Sequence, residues 1–436
     1  MCHRAPHGSA LLTRFTQIVM CVLAAWAGWL TEPAHAGPVG ASHDGSVTIN
    51  YNPATQTWTV TAPDGSIINY DSFNILVNET VSFVQPHELA RVLNRINGGE
   101  PTIIEGTLTA NGQVYLVNPA GVTFTGTSVV DVGAIFAAAG NISDTDFEEG
   151  VDRFTNLTGD LVNHGEIKAD IIHLIGQHVA NHGSLISTGN DNGGTGIITM
   201  LAGNDVVIQP VGERVSVKID GNQITGKPNA FAGQTAPNML ATPGVENTGL
   251  IQNFGGQTVL GAGDLYSLAI RNSGNILVRD GDVLLASSDG LVQNDGVIDA
   301  SNKTGDAGDV TIQGPSVLNR GHIRADASVG EAGTVTIQGH NHAYFTDSSV
   351  ITAMGGADGD ADGGLIMIDS LEGVTAAAEG AYFGVSGGGN GGDGGMIHVA
   401  GNRLLFNAVA KFGASASGTV GELLLESRGD MEVSQF

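Results

Sequence analysis

Cysteine is nearly absent from this chain of 436 residues, which contains only Cys2 and Cys21. A framework of disulfides is therefore excluded for everything beyond the amino-terminal segment. Proline is also scarce, with 13 residues against 65 glycines, and no Gly-X-Y period accompanies the glycine, which excludes collagen. Basic residues are few, since 17 Lys and Arg oppose 44 Asp and Glu for a net charge of −27. Such a charge repels phosphate backbones, so we expect no nucleic-acid partner.

The first 36 residues have the pattern of a secretory signal peptide. A basic lead precedes an apolar run over residues 18–30, and Ala34-His35-Ala36 has the small-x-small form that signal peptidase accepts. The apolar run is shorter than the ~20 residues needed to span a bilayer, and no second such run follows. We therefore expect a mature chain that begins at Gly37, contains no cysteine and has no transmembrane segment.

Two short units repeat along the chain. One is a small residue and glycine followed by alternating apolar residues, at 307–314, 332–339, 363–370, 394–401 and 420–427, with steps of 25, 31, 31 and 26 residues between its glycines. The other is Asn-x-Gly-x-apolar, which begins at Asn163, Asn181, Asn247, Asn272, Asn294 and Asn319. Repeats of this length predict structural units that cannot bury their apolar face alone and must stack.

Each apolar burst predicts a strand of four or five residues with one buried face, and the glycines predict corners with positive φ. Stacking such coils buries their apolar faces and pairs every backbone amide with the coils above and below, as in a parallel β-helix. A β-propeller is the alternative, but its blades need about 40 residues each. Helical spacing occurs at Leu89, Val92, Leu93 and Ile96, which predicts a two-turn helix at an end of the core.

Residues 71–86 (DSFNILVNETVSFVQP), 92–143, 165–187 and 196–208 resemble, in the same order, the amino-terminal secretion domain of the filamentous haemagglutinin family. Members of this family are the exported partners of two-partner secretion systems. The resemblance implies an all-β fold, a right-handed single-stranded parallel β-helix of the pectin-lyase-like kind. It also implies a partner, an outer-membrane transporter barrel with periplasmic domains. We expect a signal peptide over 1–36, a secretion domain over 37–220 and a β-helical repeat passenger over 221–436.

The family's motif Asn-Pro-Asn-Gly-Ile corresponds here to Asn118, Pro119, Ala120, Gly121 and Val122, and Ala120 departs from the usual second Asn. The resemblance implies a secretion motif at this position. The residues alone predict a type I turn between the strands VYLV and VTF, with Asn first, Pro second and Gly fourth. A structural role alone and a structural role combined with recognition both remain open for Asn118.

No catalytic signature is present: the sequence has no HExxH, no Walker loop and no Gly-x-Ser-x-Gly elbow. We therefore predict that the chain is not an enzyme and requires no cofactor. Asp358, Asp360, Asp362 and Asp369 occupy the oxygen-ligand places of an EF-hand-like loop, which makes calcium an optional ligand. The alternative for this segment is an ordinary coil corner.

Two histidine pairs, His178 with His182 and His340 with His342, have a spacing that suits a shared metal, but no third ligand is near in sequence. Arg428-Gly429-Asp430 matches an integrin-type tripeptide, for which a solvated turn is the plainer interpretation.

We predict a secreted exoprotein at the cell surface of a diderm bacterium, or released from it, that reached the exterior through the periplasm. An adhesive or matrix role, with a surface receptor or glycan as partner, follows from the resemblance. The alternative is a β-helical polysaccharide lyase or carbohydrate-binding protein, although no ladder of basic residues marks a lyase groove.

Overall fold

A computed structural model describes residues 37–43, 45–187, 189, 196–211, 214–220, 222–224, 242–356 and 359–433. The predicted signal peptide lies outside these residues. The residues from Gly37 onward belong to one unit. Within the described part of the chain, no helix is long and apolar enough to cross a membrane.

The chain is built almost entirely from short strands. The first are β1 (Gly37–Val39), β2 (Thr48–Asn52), β3 (Thr57–Thr61), β4 (Ser66–Tyr70), β5 (Ser72–Asn74), β6 (Thr80–Val84), β7 (Arg91–Ile96), β8 (Thr102–Ile104), β9 (Thr107–Ala110), β10 (Gln113–Val117), β11 (Val122–Phe124), β12 (Val129–Asp131) and β13 (Ala134–Ala138). After the helix α1 (Asp144–Glu149) come β14 (Asp152–Phe154), β15 (Asp160–Asn163), β16 (Glu166–Lys168), β17 (Ile171–Gly176), β18 (His178–Asn181), β19 (Ser184–Ser187), β20 (Ile197–Ala202), β21 (Val206–Val211), β22 (Arg214–Ile219) and β23 (Asn222–Ile224).

The remaining strands are β24 (Val245–Asn247), β25 (Leu250–Ala262), β26 (Leu268–Asn272), β27 (Asn275–Ser287), β28 (Leu291–Asn294), β29 (Val297–Asp299), β30 (Val310–Asn319), β31 (His322–Arg324), β32 (Thr334–Phe345), β33 (Val350–Thr352), β34 (Leu365–Ala377), β35 (Tyr382–Gly384), β36 (Met396–Phe406), β37 (Val409–Lys411), β38 (Glu422–Ser427) and β39 (Met431–Val433).

These strands form a parallel β-helix with three faces, which confirms the predicted fold. Each coil visits a first face (for example β10), a second face (β11) and a third face (β12), and these strands pair in parallel with the strands of the neighbouring coils. In the later coils one long strand bends across a corner and serves two faces, as β32 does. The register Val310↔Val335↔Ile366↔Ile397↔Leu423 repeats the spacing of the glycine unit.

The core lies inside the coils and consists of aligned apolar side chains. On the third face Ile251, Ile276, Ile298, Ile323 and Ile351 stack in register, and each is fully buried. Burying such a side chain contributes about 1.5–3 kcal/mol, so the repeated apolar position supplies much of the free energy that holds adjacent coils together.

A row of buried asparagines ends the strands of the second face. Asn163, Asn181, Asn247, Asn272, Asn294 and Asn319 are at most 1% exposed. The Nδ2 of each of the first five donates to the Oδ1 of the next residue in the row, at 2.8–2.9 Å. We call this set the asparagine row. It satisfies amide groups that would otherwise be costly to bury.

The glycines of the Asn-x-Gly units do not adopt positive φ, so the reason predicted for them is wrong. They stack instead as a row of their own, Gly165, Gly183, Gly249, Gly274, Gly296 and Gly321. A Cβ on any of the last five would collide with the carbonyl oxygen of the glycine one coil earlier. A similar row contains Gly281, Gly308, Gly333, Gly364, Gly395 and Gly421. Glycine is needed here because the backbones of adjacent coils approach closely at the corners.

The helix predicted at residues 89–96 is also wrong, because the segment forms strand β7, which pairs with β4 and β10. Val92 points into the core, and Leu93 is buried on the opposite side of the strand, so burial on two sides produced the apolar spacing that resembles a helix. The helix α1 lies elsewhere. The Ser143 Oγ accepts a hydrogen bond from the Asp146 N–H at its start, and Gly150 ends it in the left-handed conformation.

Candidate secretion site

The turn at Asn118 has the predicted geometry. The Gly121 N–H donates to the Asn118 carbonyl oxygen at 3.0 Å, and Ala120 does not have the positive φ of a type II turn. Gly121 itself has φ 116°, a conformation that favours glycine. The two flanking strands are β10 and β11, as predicted.

The Asn118 side chain is buried, with 1% of its surface exposed, and its amide is fully used. Its Oδ1 accepts from the Ala120 N–H at 2.9 Å, while its Nδ2 donates to the Glu100 carbonyl at 2.9 Å and to Thr102 Oγ1 at 3.0 Å. Asn118 therefore joins its own turn to the preceding coil. Val122 is also buried, so Pro119 and Ala120, both half-buried, are the members of the motif that solvent reaches most.

The first face of the coils near this turn is covered by a second layer. A four-stranded antiparallel sheet of β14, β21, β22 and β23, which we call the cover sheet, lies outside the helix of coils. Side chains of β14, β21 and β22 form a separate apolar cluster with the outward-facing side chains of the first face. Those first-face members run from Leu93 to Ala286 and include Tyr115, Phe136, Ile175 and Leu201.

Two arginines of β7 fasten the segment around α1 to the coils. The Arg91 guanidinium lies 5.1 Å from the centre of the Phe147 ring and donates to the Phe147 carbonyl at 2.9 Å. Arg95 donates to the Ile142 carbonyl at 2.8 Å and pairs with the Asp144 carboxylate at 2.6 Å. Both cations thus form charge-assisted hydrogen bonds with main-chain carbonyls of this segment.

Polar groups are buried between the two layers. The Tyr115 hydroxyl donates to Asp152 Oδ1 of the cover sheet at 2.9 Å, and burial raises the pKa of Asp152 to about 6. His173 is fully enclosed, with its Nδ1 2.8 Å from Thr199 Oγ1, and burial lowers the pKa of its imidazole to about 3. The tyrosine and histidine rings both contact Phe136, with centroid distances of 4.1 and 4.7 Å.

The residues of this second layer were not predicted from the sequence, although the sequence contains a signal for them. The first-face strands AIFAA (β13) and IITMLA (β20) are buried at every position, whereas TVTIQG at the start of β32 alternates. A run that is apolar on both sides of a strand indicates that both sheet faces are covered.

Two aspartates of the calcium hypothesis form hydrogen bonds with other groups of the protein. Asp358 is outside the described residues. Asp362 Oδ1 accepts the Asp393 N–H at 2.7 Å, and the Asp369 carboxylate forms two hydrogen bonds with the Arg428 guanidinium at 2.7 and 2.9 Å. Across the described ranges, no three His, Cys, Asp or Glu side chains are grouped as metal ligands. Calcium binding stays a prediction.

The histidine pairs and the tripeptide take part in local contacts. His178 Nδ1 lies 3.0 Å from the Pro243 carbonyl, and His182 Nδ1 lies 2.8 Å from Thr248 Oγ1. His340 faces the Glu372 carboxylate at 3.4 Å, and His342 stacks on Tyr344. These contacts hold the side chains on the surface of the coils.

The chain is similar to several known proteins. Two proteins named heme/hemopexin-binding protein, both from Haemophilus influenzae, are 32% identical over 169 residues (36% of this chain, 18% of that protein) and 34% identical over 143 residues (33% and 15%). The chain thus spans less than a fifth of the length of these curated relatives. The crystal structure of the HMW1 secretion domain from Haemophilus influenzae superposes with a TM-score of 0.67 at 23% identity, over 89% of this chain and 100% of that domain, which shows a shared fold.

The model of the TPS secretion domain family matches residues 36–300. This range contains the turn at Asn118, α1, the cover sheet and every first-face strand beneath it. The predicted resemblance is therefore confirmed, and the chain belongs to the TPS secretion domain family, the domain carried by two-partner secreted exoproteins.

Proposed function

We propose that an outer-membrane β-barrel with periplasmic domains recognises this chain in the periplasm of a diderm bacterium and threads it to the exterior. The family match over residues 36–300 carries the proposal, and the matched range contains the coils whose first face is covered. The absence of cysteine after Cys21 supports it as well, since no disulfide can close a loop in the chain before passage.

We propose further that the coils after residue 220 are displayed at the cell surface or released, where they contact a surface receptor or glycan as an adhesin or matrix component. The names of the two relatives describe binding proteins, which supports a binding role for exported coils. We assign no catalytic step, in keeping with a family of secreted exoproteins.

The motif at Asn118 has two separable parts. The Asn118 amide is buried and stabilises the coil, so a transporter that contacts the folded domain meets Pro119 and Ala120 instead. Ala120 uses only its backbone N–H in the turn, so a larger side chain there leaves the hydrogen bonds of Asn118 in place. We propose that this half-exposed corner is the part that the transporter reads.

Export of the Ala120→Arg variant, co-expressed with the partner barrel, tests this role. We expect the variant to fold with an unchanged melting temperature and to accumulate in the periplasm. Ala54→Arg is a matched control, because Ala54 also follows Asn-Pro and its N–H also donates to the Asn side chain, at 3.0 Å, but in an exposed hairpin. We expect normal export for the control.

Normal export of Ala120→Arg would exclude reading at this corner and leave Asn118 with a structural role. The wider proposal fails if the wild-type chain remains in the periplasm when the barrel is present, or reaches the medium equally well without it.

A further inference from the structure

Two clefts of similar size lie on either side of Asn302, at the corner between the third and first faces. One, of about 410 Å³, is lined by Arg214 and the carboxylates of Asp280, Asp282 and Asp306; we call it the acidic cleft. The other, of about 420 Å³, is lined by Gln252, Phe254, Leu277, Arg279, Ser301 and Lys303, and we call it the basic cleft. Both volumes suit a small ligand.

The charge of the basic cleft comes from two cations, Arg279 and Lys303. In the described part of the chain, neither Arg279 nor Lys303 forms an ion pair, although the chain carries a net charge of −27. The one carboxylate that lines the cleft, Asp299, accepts the Ser301 N–H at 3.0 Å and faces Arg324 at 3.6 Å. The basic cleft is therefore locally positive, whereas in the acidic cleft Arg214 is paired with Asp282.

An apolar surface lies beside these cations. The Arg279 guanidinium lies 5.5 Å from the centre of the Phe254 ring, which fixes it over the aromatic face, and Leu277 is 37% exposed. Ser301 and Thr304 add hydroxyl groups at the rim. The basic cleft thus combines an apolar patch that can contact a sugar ring, hydroxyl groups that can bind the hydroxyls of the sugar, and cations that can bind its acid group.

Hydrogen bonds of the Asn302 side chain hold the corner that carries the clefts in place. Asp280, which follows Arg279 directly, has φ 55°, and its carboxylate accepts a hydrogen bond from Asn302 Nδ2. Asn302 is buried, and its Oδ1 accepts the Thr304 N–H at 3.0 Å. The segment bearing Lys303 is therefore tied to the coil bearing Arg279, so little ordering is required when a ligand binds.

We propose that the basic cleft binds one unit of an acidic saccharide, with its carboxylate or sulfate between Arg279 and Lys303 and its ring against Leu277. This inference rests on the binding role proposed for the exported chain and names the class of glycan. An anionic sugar gains charge-assisted hydrogen bonds in this cleft that a neutral sugar lacks.

Isothermal titration of the exported chain with trigalacturonic acid, a sulfated heparin disaccharide and neutral maltotriose tests the proposal. We expect at least one acidic sugar to bind and maltotriose to bind at least tenfold more weakly. Arg279→Gln and Lys303→Gln should each weaken binding of the acidic sugar about tenfold. Lys411→Gln, which removes an exposed cation elsewhere on the third face, should leave it unchanged.

The inference is overturned if neither acidic sugar binds, if maltotriose binds equally well, or if the cleft variants bind like the wild type. Export of the cleft variants is measured in parallel with the partner barrel. Normal export together with lost sugar binding confines the effect to the cleft, so failure of this inference is distinguishable from failure of the secretion role.

Discussion

Asn272 lies in the middle of the asparagine row and is fully buried. It accepts a hydrogen bond from Asn247 and donates one to Asn294, both at 2.8 Å. Asn272→Ala leaves a donor and an acceptor unsatisfied in the core, at a cost of roughly 2–5 kcal/mol in the free energy of unfolding. Urea denaturation followed by far-UV circular dichroism measures this loss.

Ser273→Ala is the matched control for Asn272→Ala, because Ser273 is the exposed neighbour and its backbone N–H keeps its bond to the Asn247 carbonyl. We expect the control to change stability by less than about 0.5 kcal/mol. Equal urea midpoints for Asn272→Ala and Ser273→Ala would show that the side-chain hydrogen bonds of the asparagine row contribute nothing to stability.

His173 makes stability depend on pH. Its pKa is lowered from 6.5 to about 3 by burial, so below pH 6.5 the unfolded chain binds a proton that the folded chain does not. The contribution of the neutral His173 imidazole to the stability of the fold is therefore complete above pH 6.5 and is lost as the pH falls toward 3. Between pH 7 and pH 5 this group alone removes about 2 kcal/mol of stability.

Comparison of the wild type with His173→Gln at pH 7 and pH 5 isolates the histidine, since glutamine does not titrate and still offers Thr199 a hydrogen-bond partner. We expect the variant to lose about 2 kcal/mol less than the wild type on acidification. Asp152 has a raised pKa and acts in the opposite direction, but it is present in both chains and its effect cancels. His87→Gln, at an exposed position, should behave like the wild type; if His173→Gln does so too, the buried imidazole is not the cause.

At the scale of an element, the glycine corners set how closely coils stack. A Cβ at Gly296 would collide with the Gly274 carbonyl oxygen of the preceding coil. Gly296→Ala must push the coils apart and should cost about 1–3 kcal/mol. Gly126→Ala is the matched control, because the nearest atom to its added Cβ is the His164 carbonyl oxygen at 4.0 Å. A thermal melt that shifts equally in both variants would contradict close stacking as the reason for glycine.

The cover sheet is a second element that shapes the secretion domain, because it encloses the first face of the coils. It turns the first face from a solvated surface into a second core, with His173 and Tyr115 enclosed beneath it. The cover sheet also explains why the sequence of β7 has the apolar spacing of a helix, since Leu93 is buried against this layer while Val92 faces the inner core.

At the scale of the whole molecule, one parallel ladder connects the secretion domain with the coils that follow it. Val179 pairs with Val245 and Ile198 with Thr258, so strands on the two sides of residue 220 are hydrogen-bonded neighbours. In such a stack stability is close to a sum of nearest-neighbour terms. The division at residue 220 stays a prediction.

The sequence by itself determined the coil architecture. Its apolar bursts, the Asn-x-Gly units and the steps of 25 to 31 residues encode contacts between neighbouring coils, and those contacts recur at a fixed spacing. The turn at Asn118 was predictable for a similar reason, because its geometry depends on four consecutive residues.

Only the tertiary structure decided what covers the first face and what lies in the clefts. The Tyr115 hydroxyl meets Asp152 across 37 residues of chain, and Arg279 meets Phe254 only because adjacent coils align them. Only the tertiary structure shows why the Asn-x-Gly units need glycine. A Cβ there would collide with a carbonyl oxygen one coil away, and the local backbone preference of the residue gives no sign of that contact. A periodic pattern specifies how each coil meets its neighbour, whereas contacts made by segments that leave the coil depend on where the folded chain brings them.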